Sequence, residues 1–230
     1  MHSISKIGIA IIGLILSSCS VELNNEQIVV HHVGELRQIM HQGSVEGRVD
    51  LDTLSDHNLY ALGAEAGLKG EITLINGLPF ISRVSADGIE INKGTQTKAT
   101  LLVYSHVVNW DTISIDADFS NVDSLIKTHI EENQPLPFQL IGKVEALKYH
   151  VINFTGQQTT FENHKQGAWV ETLKHVDVNV LGFYSTQHKG IFTHHDASTH
   201  MHFVDAEEKT SGHVDDVSFT GPIKLLTPRL

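Results

Sequence analysis

Short runs of alternating apolar and polar residues recur along most of this 230-residue chain. Examples are GIEIN (88–92), ATLLVYSHVV (99–108) and TISIDADF (112–119). Alternation with a period of two puts successive side chains on opposite faces, which is the pattern of a β-strand. Asn76-Gly77 separates two further runs and is a dipeptide typical of a tight hairpin turn. The sequence therefore predicts a protein built mainly from strands.

Two short segments show helical spacing instead. In IVVHHVGELRQIMHQG, apolar residues at helical spacing run from Val33 to Met40, and Gly43 is expected to end the helix. In NVDSLIKTHIEEN (121–133), one face is apolar and Asn121 is the expected N-cap. Residues 52–60 are expected to add a further helical turn or two. The predicted fold class is a strand-rich α+β protein, with two strand-rich halves that meet near Pro135 and Pro137.

The first 27 residues have the pattern of a processing signal and a spacer. Lys6 precedes an apolar run over 7–16 that is too short to cross a bilayer as a mature helix. The run ends in LSSC, which resembles the lipobox of bacterial lipoproteins. We expect residues 1–19 to be a lipoprotein signal with Cys19 lipidated and 20–27 to be a polar spacer. The protein would then be anchored to a membrane by its lipid and face an extracytoplasmic space. An ordinary secretory signal with an incidental cysteine is the alternative.

The composition restricts both partners and metal ligands. A formal net charge of -11 argues against a nucleic-acid partner, because binding a phosphate backbone requires clustered Lys and Arg. The chain has 16 histidines and a single cysteine. Imidazole and carboxylate are therefore more plausible metal ligands than thiolate.

The segment THMHFVDAEEKTSGHVDD (199–216) is the most specific motif of the chain. On a strand, His200 and His202 share one face, whereas Met201 and Phe203 point to the core. The polar loop that follows is expected to return His213 to a position opposite the first two histidines. Three neutral imidazoles that leave one coordination position open are typical of a catalytic zinc site. Imidazole also binds other divalent transition metals, so the ion stays open.

Not every histidine fits such a site. A histidine-rich chain also places imidazoles on its surface, and this is our interpretation of His31, His32, His194 and His195. The same interpretation is the alternative for the histidines of the hairpin.

Ordered motifs over residues 28–216 resemble the α-acetolactate decarboxylase family. VGELRQIMHQGSVEGRVDLDTL resembles the family's opening helix and its G.YEG..T...L continuation. LSDHNLYALGAEAGLKGEI is similar to L..HGDFGLGTFNGLDGEM. GFYSTQHKGIFTHHDASTHMHFV and SGHVDD resemble the segments that supply the three metal-binding histidines of that family.

The resemblance implies a site and an architecture. His200, His202 and His213 would hold zinc, and Glu71 would be the active-site carboxylate. Two packed β-subdomains and a homodimer are also implied, and we place the subdomains at 28–134 and 135–230, the second with the metal site. The implied reaction is the metal-dependent removal of CO2 from 2-acetolactate, a small 2-hydroxy-3-oxo acid, to give acetoin.

Several positions depart from the family pattern. His150 stands where the family has an active-site arginine, and Lys148 is the alternative substitute on the same strand face. Arginine offers a permanent charge and a forked donor, whereas the charge of histidine depends on pH. Ala64 and Glu65 occupy the region of a family threonine, and no Asp or Glu follows Asp216, although the family's tail contributes an acid.

Three functions therefore stay open. We predict a decarboxylase in which Glu71 holds a bound water or moves a proton and His150 is the candidate to take over the arginine's role of binding the substrate carboxylate. A zinc enzyme that acts on a different carbonyl compound, for example by hydrolysis, is the second possibility. A non-catalytic metal-binding lipoprotein is the third.

Overall fold

The computed structural model describes residues 28–54, 56–116, 121–130, 134–157, 159–160 and 163–229. The predicted signal, Cys19 and the polar spacer lie outside the described residues. Within those ranges, no helix combines the length and the apolar character needed to cross a membrane.

Fourteen strands in the described ranges form two mainly antiparallel sheets. The first sheet contains β1 (His31–Val33), β2 (Val49–Asp50), β3 (Leu59–Glu65), β4 (Glu71–Ile75), β5 (Leu78–Ser85), β6 (Gly88–Asn92) and β7 (Lys98–His106). The second sheet contains β8 (Trp110–Ile115), β9 (Leu136–Val151), β10 (Trp169–Leu173), β11 (Asp177–Tyr184), β12 (Thr199–Asp205), β13 (Ser211–Phe219) and β14 (Ile223–Pro228). The strand-rich α+β prediction is confirmed.

The long strand β9 organises the second sheet. Its first half pairs with β11 and its second half pairs with β13, while β12 joins β11 to β13. These four strands therefore close on themselves. Phe203 of β12 is fully buried in the core of this sheet and Met201 packs against that core, as the alternation of the motif predicted.

The two sheets pack against each other through an apolar layer. Leu62 of β3 and Val103 of β7 lie on one side of it, and Leu181 and Phe183 of β11 lie on the other. Polar contacts continue this junction, since the Ser82 hydroxyl donates a hydrogen bond to the Ser211 carbonyl oxygen over 2.8 Å. The junction brings β4 of the first sheet beside β12 and β13 of the second.

The hairpin and both helices lie close to their predicted positions. Asn76 and Gly77 have φ angles of 53° and 77°, the left-handed conformations that a tight hairpin turn requires. Helix α1 (Leu36–Gln42) ends at Gly43 (φ 67°), and helix α2 (Val122–His129) begins at Asn121, whose side chain accepts a hydrogen bond from the Ser124 N–H.

Two local predictions differ from the structure. Val33 lies in strand β1 instead of the first helix, because residues 31–33 pair with β7. The helical turn expected over 52–60 is present as a 3₁₀ turn at Leu51–Thr53, but the predicted span is too long, because β3 already begins at Leu59. In both cases pairing with a neighbouring strand outweighs the local helical pattern.

The two sheets do not divide the chain at residue 134. Strand β8 precedes that position but pairs with β14 of the second sheet, and the apolar face of α2 is buried in the core of the second sheet. The chain therefore passes from one sheet to the other between β7 and β8. Domain limits at 28–134 and 135–230 stay a prediction.

Candidate metal centre

The hairpin of β12 and β13 brings the three predicted histidines together. His202 is paired in register with His213, and His200 lies two residues earlier on the same face of β12. His200 and His202 are 5% and 0% exposed, and His213 is half-buried. One ring nitrogen of each residue lies within 4.8 Å of the others.

The spacing of these nitrogens suits a tetrahedral ion. Nε2 of His200 lies 3.2 Å from Nδ1 of His213. Two nitrogens that each lie roughly 2.0–2.1 Å from one zinc at a tetrahedral angle are about 3.3 Å apart. Burial lowers the pKa of His200 to about 3 and lowers the pKa of His202 and His213 well below the usual histidine value. Neutral imidazoles, the form that binds metal, are therefore favoured.

The orientation of His202 supports the same conclusion. Its Nδ1 lies 3.1 Å from the Thr73 hydroxyl of β4, and a ring that donates from Nδ1 keeps Nε2 unprotonated. Nε2 of His202 is buried and has no hydrogen-bond partner among the described residues. A buried nitrogen without a partner costs about 1–3 kcal/mol, and coordination of a cation would remove that cost. The residues present therefore fit a divalent ion.

Glu71, the first residue of β4, lies beside the histidines. Its carboxylate is 4% exposed, accepts a hydrogen bond from the Ile152 N–H over 3.1 Å and lies 3.6 Å from Nε2 of His202. Burial raises the pKa of the Glu71 carboxyl to about 8, although the Ile152 N–H and the charge of Lys165 oppose the rise. In the metal-free protein Glu71 therefore holds a proton at neutral pH.

His150 faces Glu71 across the same site. It is paired in register with His213, and its Nε2 lies 3.8 Å from the Glu71 carboxylate. Its Nδ1 lies 3.0 Å from Oδ1 of Asp215. Burial lowers the pKa of His150, partly offset by the hydrogen bond to Asp215. His150 is thus a neutral group at neutral pH, held in one orientation by a carboxylate.

Glu71, His150, His200 and His213 line one cavity of about 50 Å³, which we call the inner cavity. Leu36, Met40, His164 and His194 line both this space and a wider cleft of about 360 Å³, the outer cleft. A volume of 50 Å³ holds only a few water molecules. A larger ligand must therefore extend into the outer cleft.

Ala64 and Glu65 differ in their relation to the site. Ala64 lines the inner cavity, whereas Glu65 forms a two-pronged ion pair with Arg83, at 2.7 and 2.6 Å. Ala64 thus contributes only a methyl group where the resemblance places a threonine, and Glu65 has a structural role.

The sequence interpretation missed three residues that line the inner cavity: His164, Lys165 and His194. His194 was assigned to the surface, but it is half-buried and its ring centroid lies 5.8 Å from that of His213. His31, His32 and His195 are exposed, as predicted. Lys148 is exposed too, and the lysine at the cavity wall is Lys165.

Asp215 was also overlooked as a site residue. It follows His213 by two positions, so strand alternation was the signal that could have found it. No comparable signal exists for Lys165 or His194, which lie outside the regular strands.

Comparisons with known proteins agree with the motifs. The sequence model of the alpha-acetolactate decarboxylase family matches residues 30–225. Comparison with curated protein sequences gave no match.

Among solved structures, a Staphylococcus aureus protein of unknown function, described as similar to alpha-acetolactate decarboxylase, superposes with a TM-score of 0.72 at 18% identity, over 87% of this chain and 85% of that chain. Alpha-acetolactate decarboxylase from Bacillus subtilis strain 168 superposes with a TM-score of 0.71 at 14% identity, over 87% of this chain and 86% of that one. The structures share the fold, and the sequence match covers most of the chain. This chain therefore belongs to the alpha-acetolactate decarboxylase family.

Proposed function

We propose that this protein is a metal-dependent decarboxylase that converts 2-acetolactate to acetoin and CO2. The observation that carries the proposal is the convergence of His200, His202 and His213 on one point, with Glu71 beside them at the inner end of a cavity. Three histidines leave a coordination position open, which is the arrangement of catalytic zinc sites.

The reaction needs an electron sink and a proton. When the bond to the carboxylate breaks, its electron pair moves to the neighbouring keto oxygen, and a proton must then be added at the carbon that lost CO2. A zinc ion held by the three histidines would polarise the keto oxygen as a Lewis acid. Glu71 lies within reach of this site and would act as the general acid.

Part of the wall of the inner cavity is apolar. Leu36, Ile39, Leu68 and Leu101 line it beside Glu71. An apolar surrounding strengthens the electrostatic interactions of the few polar groups that it encloses. Asp215 holds the His150 ring so that its Nε2 points toward Glu71.

A zinc enzyme with a different carbonyl substrate is the second candidate. His150 and Ala64, which stand where the resemblance places an arginine and a threonine, both line the inner cavity. A molecule bound in this cavity would contact both residues, so their replacement would change which substrate binds more than it would change metal binding. A metal-binding lipoprotein without turnover is the third candidate.

Metal analysis and an acetoin assay separate these candidates. We expect the zinc-loaded protein to contain about one zinc per chain and to release acetoin from 2-acetolactate, and His202→Ala to lose both properties. His106→Ala, which changes an exposed histidine at the end of β7, is the matched control. Zinc without acetoin would reject the decarboxylase and leave the other two functions. Full zinc content in His202→Ala would reject the metal site.

We also propose that Cys19 anchors the protein by a lipid in an extracytoplasmic space and that the chain forms a homodimer. The LSSC pattern supports the anchor, and the family supports the dimer. Cys19→Ser should move the protein from the membrane fraction to the soluble fraction. Retention of the variant in membranes at high salt would contradict the anchor, and a monomeric mass in sedimentation would contradict the dimer.

A further inference from the structure

The inner cavity has one lysine or arginine in its wall, counted over the described residues: Lys165. Arg37 lines the outer cleft but not the inner cavity, and its Nε donates a hydrogen bond to the Glu35 carboxylate over 2.5 Å. The charge of an imidazole depends on pH, so His150 supplies no permanent charge. An anionic group that enters the inner cavity therefore meets one fixed positive charge from a side chain.

Asp215 fixes the position of this charge. Oδ1 of Asp215 lies 3.1 Å from Nζ of Lys165 and 3.0 Å from Nδ1 of His150. The Asp215 carboxylate therefore joins the Lys165 ammonium group to the His150 ring. An ammonium group has three N–H donors, and one that bonds Asp215 keeps donors for a second anion.

The backbone around Lys165 is held against the site. The Gln166 carbonyl oxygen accepts a hydrogen bond from the Thr155 N–H over 3.2 Å. Gly167 has φ 87°, and a Cβ there would lie 2.6 Å from the Asn153 carbonyl oxygen, so the turn approaches this segment closely. The same segment begins with Ile152, whose N–H binds Glu71. Lys165 and Glu71 are thus positioned by one stretch of backbone.

We propose that Lys165 binds the carboxylate of the substrate and that Asp215 is a positioning residue for its ammonium group. The proposal rests on the proposed function, because it assigns the cation that holds a 2-hydroxy acid beside the metal. It replaces our prediction that His150 or Lys148 takes this role. The charge of the carboxylate disappears from that position when CO2 leaves. Lys165 should therefore stabilise the bound substrate at least as much as it stabilises the transition state for loss of CO2. Its removal should therefore change KM more than kcat.

Titration calorimetry on the zinc-loaded full chain tests the proposal without turnover. The probes are 2-hydroxyisobutyrate and its neutral amide, which differ mainly in charge. We expect Lys165→Met to weaken binding of the acid about ten-fold, the size of one charge-assisted hydrogen bond, and to leave binding of the amide unchanged. Lys143→Met, an exposed position on β9, is the control and should leave both affinities unchanged. Lys165→Gln is the second variant if the methionine protein has a lower melting temperature or zinc content.

Asp215→Asn tests the positioning role. It should weaken binding of the acid by less than Lys165→Met does, and in the double variant the two losses should not add, since one acts through the other. Additive losses would show that Asp215 does not act through Lys165.

The outcomes separate this proposal from the decarboxylase proposal. If binding of the acid depends on Lys165 but no acetoin is released, the carboxylate site is supported and the decarboxylase proposal is rejected. Acetoin release with the same KM and the same affinity for the acid in Lys165→Met would keep the reaction and overturn the carboxylate site. Failure of the wild type to bind the acid, or a loss in Lys148→Met instead of Lys165→Met, would also overturn it.

Discussion

The inner cavity has two unlike walls. The strand wall consists of the cavity-lining site residues on β4, β9, β12 and β13, which are Glu71, His150, His200 and His213. We count with it His202, which pairs with His213, and Thr73, whose hydroxyl lies 3.1 Å from Nδ1 of His202. The loop wall consists of three residues outside the regular strands, His164, Lys165 and His194. Ladder hydrogen bonds on both sides of β12 and β13 fix the strand wall. The loop wall depends on turns and on a few backbone contacts.

The difference assigns different tasks to the two walls. Metal ligands and a proton donor require positions within a fraction of an ångström, and regular strands provide that precision. Residues that select a substrate need less precision, and loops accept substitution at a lower cost to the fold. We therefore expect changes in the strand wall to abolish chemistry and changes in the loop wall to shift substrate preference.

The largest effect is expected for Glu71→Gln in the strand wall. Glutamine keeps an acceptor for the Ile152 N–H but is not an acid. At matched zinc content, kcat should fall about 10²–10⁴-fold, the usual contribution of a general acid. Acetoin release with zinc measured in the same samples checks this. Wild-type kcat in the variant would remove Glu71 from the mechanism.

The same substitution should stabilise the metal-free protein. The pKa of Glu71 in the folded protein is raised from 4.5 to about 8. The contribution of protonated Glu71 to the free energy of unfolding is therefore complete below pH 4.5 and is lost as the pH rises toward 8. The loss is about 1.4 kcal/mol per pH unit in this window. Urea unfolding measures this at pH 6 and pH 8. The free energy of unfolding of Glu71→Gln relative to that of the wild type should be larger at pH 8 than at pH 6. A pH-independent difference would contradict the buried, protonated Glu71.

Thr73→Val tests the support behind the metal ligands. Valine preserves the shape and the strand preference of threonine but cannot bond Nδ1 of His202. Loss of such a partner typically costs about 10–100-fold in metal affinity. Competition with a zinc chelator measures it, with Thr112→Val on the exposed strand β8 as the control. Equal zinc affinities in all three proteins would show that Thr73 does not orient His202.

The two walls also differ in how far the sequence predicts them. Alternation along 199–205 and a polar loop sufficed to predict that His213 returns to a position opposite His200 and His202, and His213 pairs in register with His202. No local pattern predicts that Lys165 reaches Asp215, because the contact joins residues 50 positions apart through a turn without periodicity. The exchange of β8 into the second sheet was missed for a related reason, since alternation identifies a strand but not its partner.

The smallest effect is expected for His194→Gln in the loop wall. His194 lines both the inner cavity and the outer cleft, and burial lowers its pKa, so it presents a neutral ring. A neutral hydrogen bond or contact contributes about 0.5–1 kcal/mol, which corresponds to a two-fold to five-fold change in affinity. We therefore expect KM for 2-acetolactate to rise two-fold to five-fold at unchanged kcat and zinc content. His195→Gln, which changes an exposed histidine in the outer cleft, is the comparison.

A ten-fold loss of kcat or a loss of zinc in His194→Gln would mean that the loop wall takes part in the chemistry. The division of tasks between the two walls would then fail, because a residue outside the strands would be as critical as the metal ligands on them.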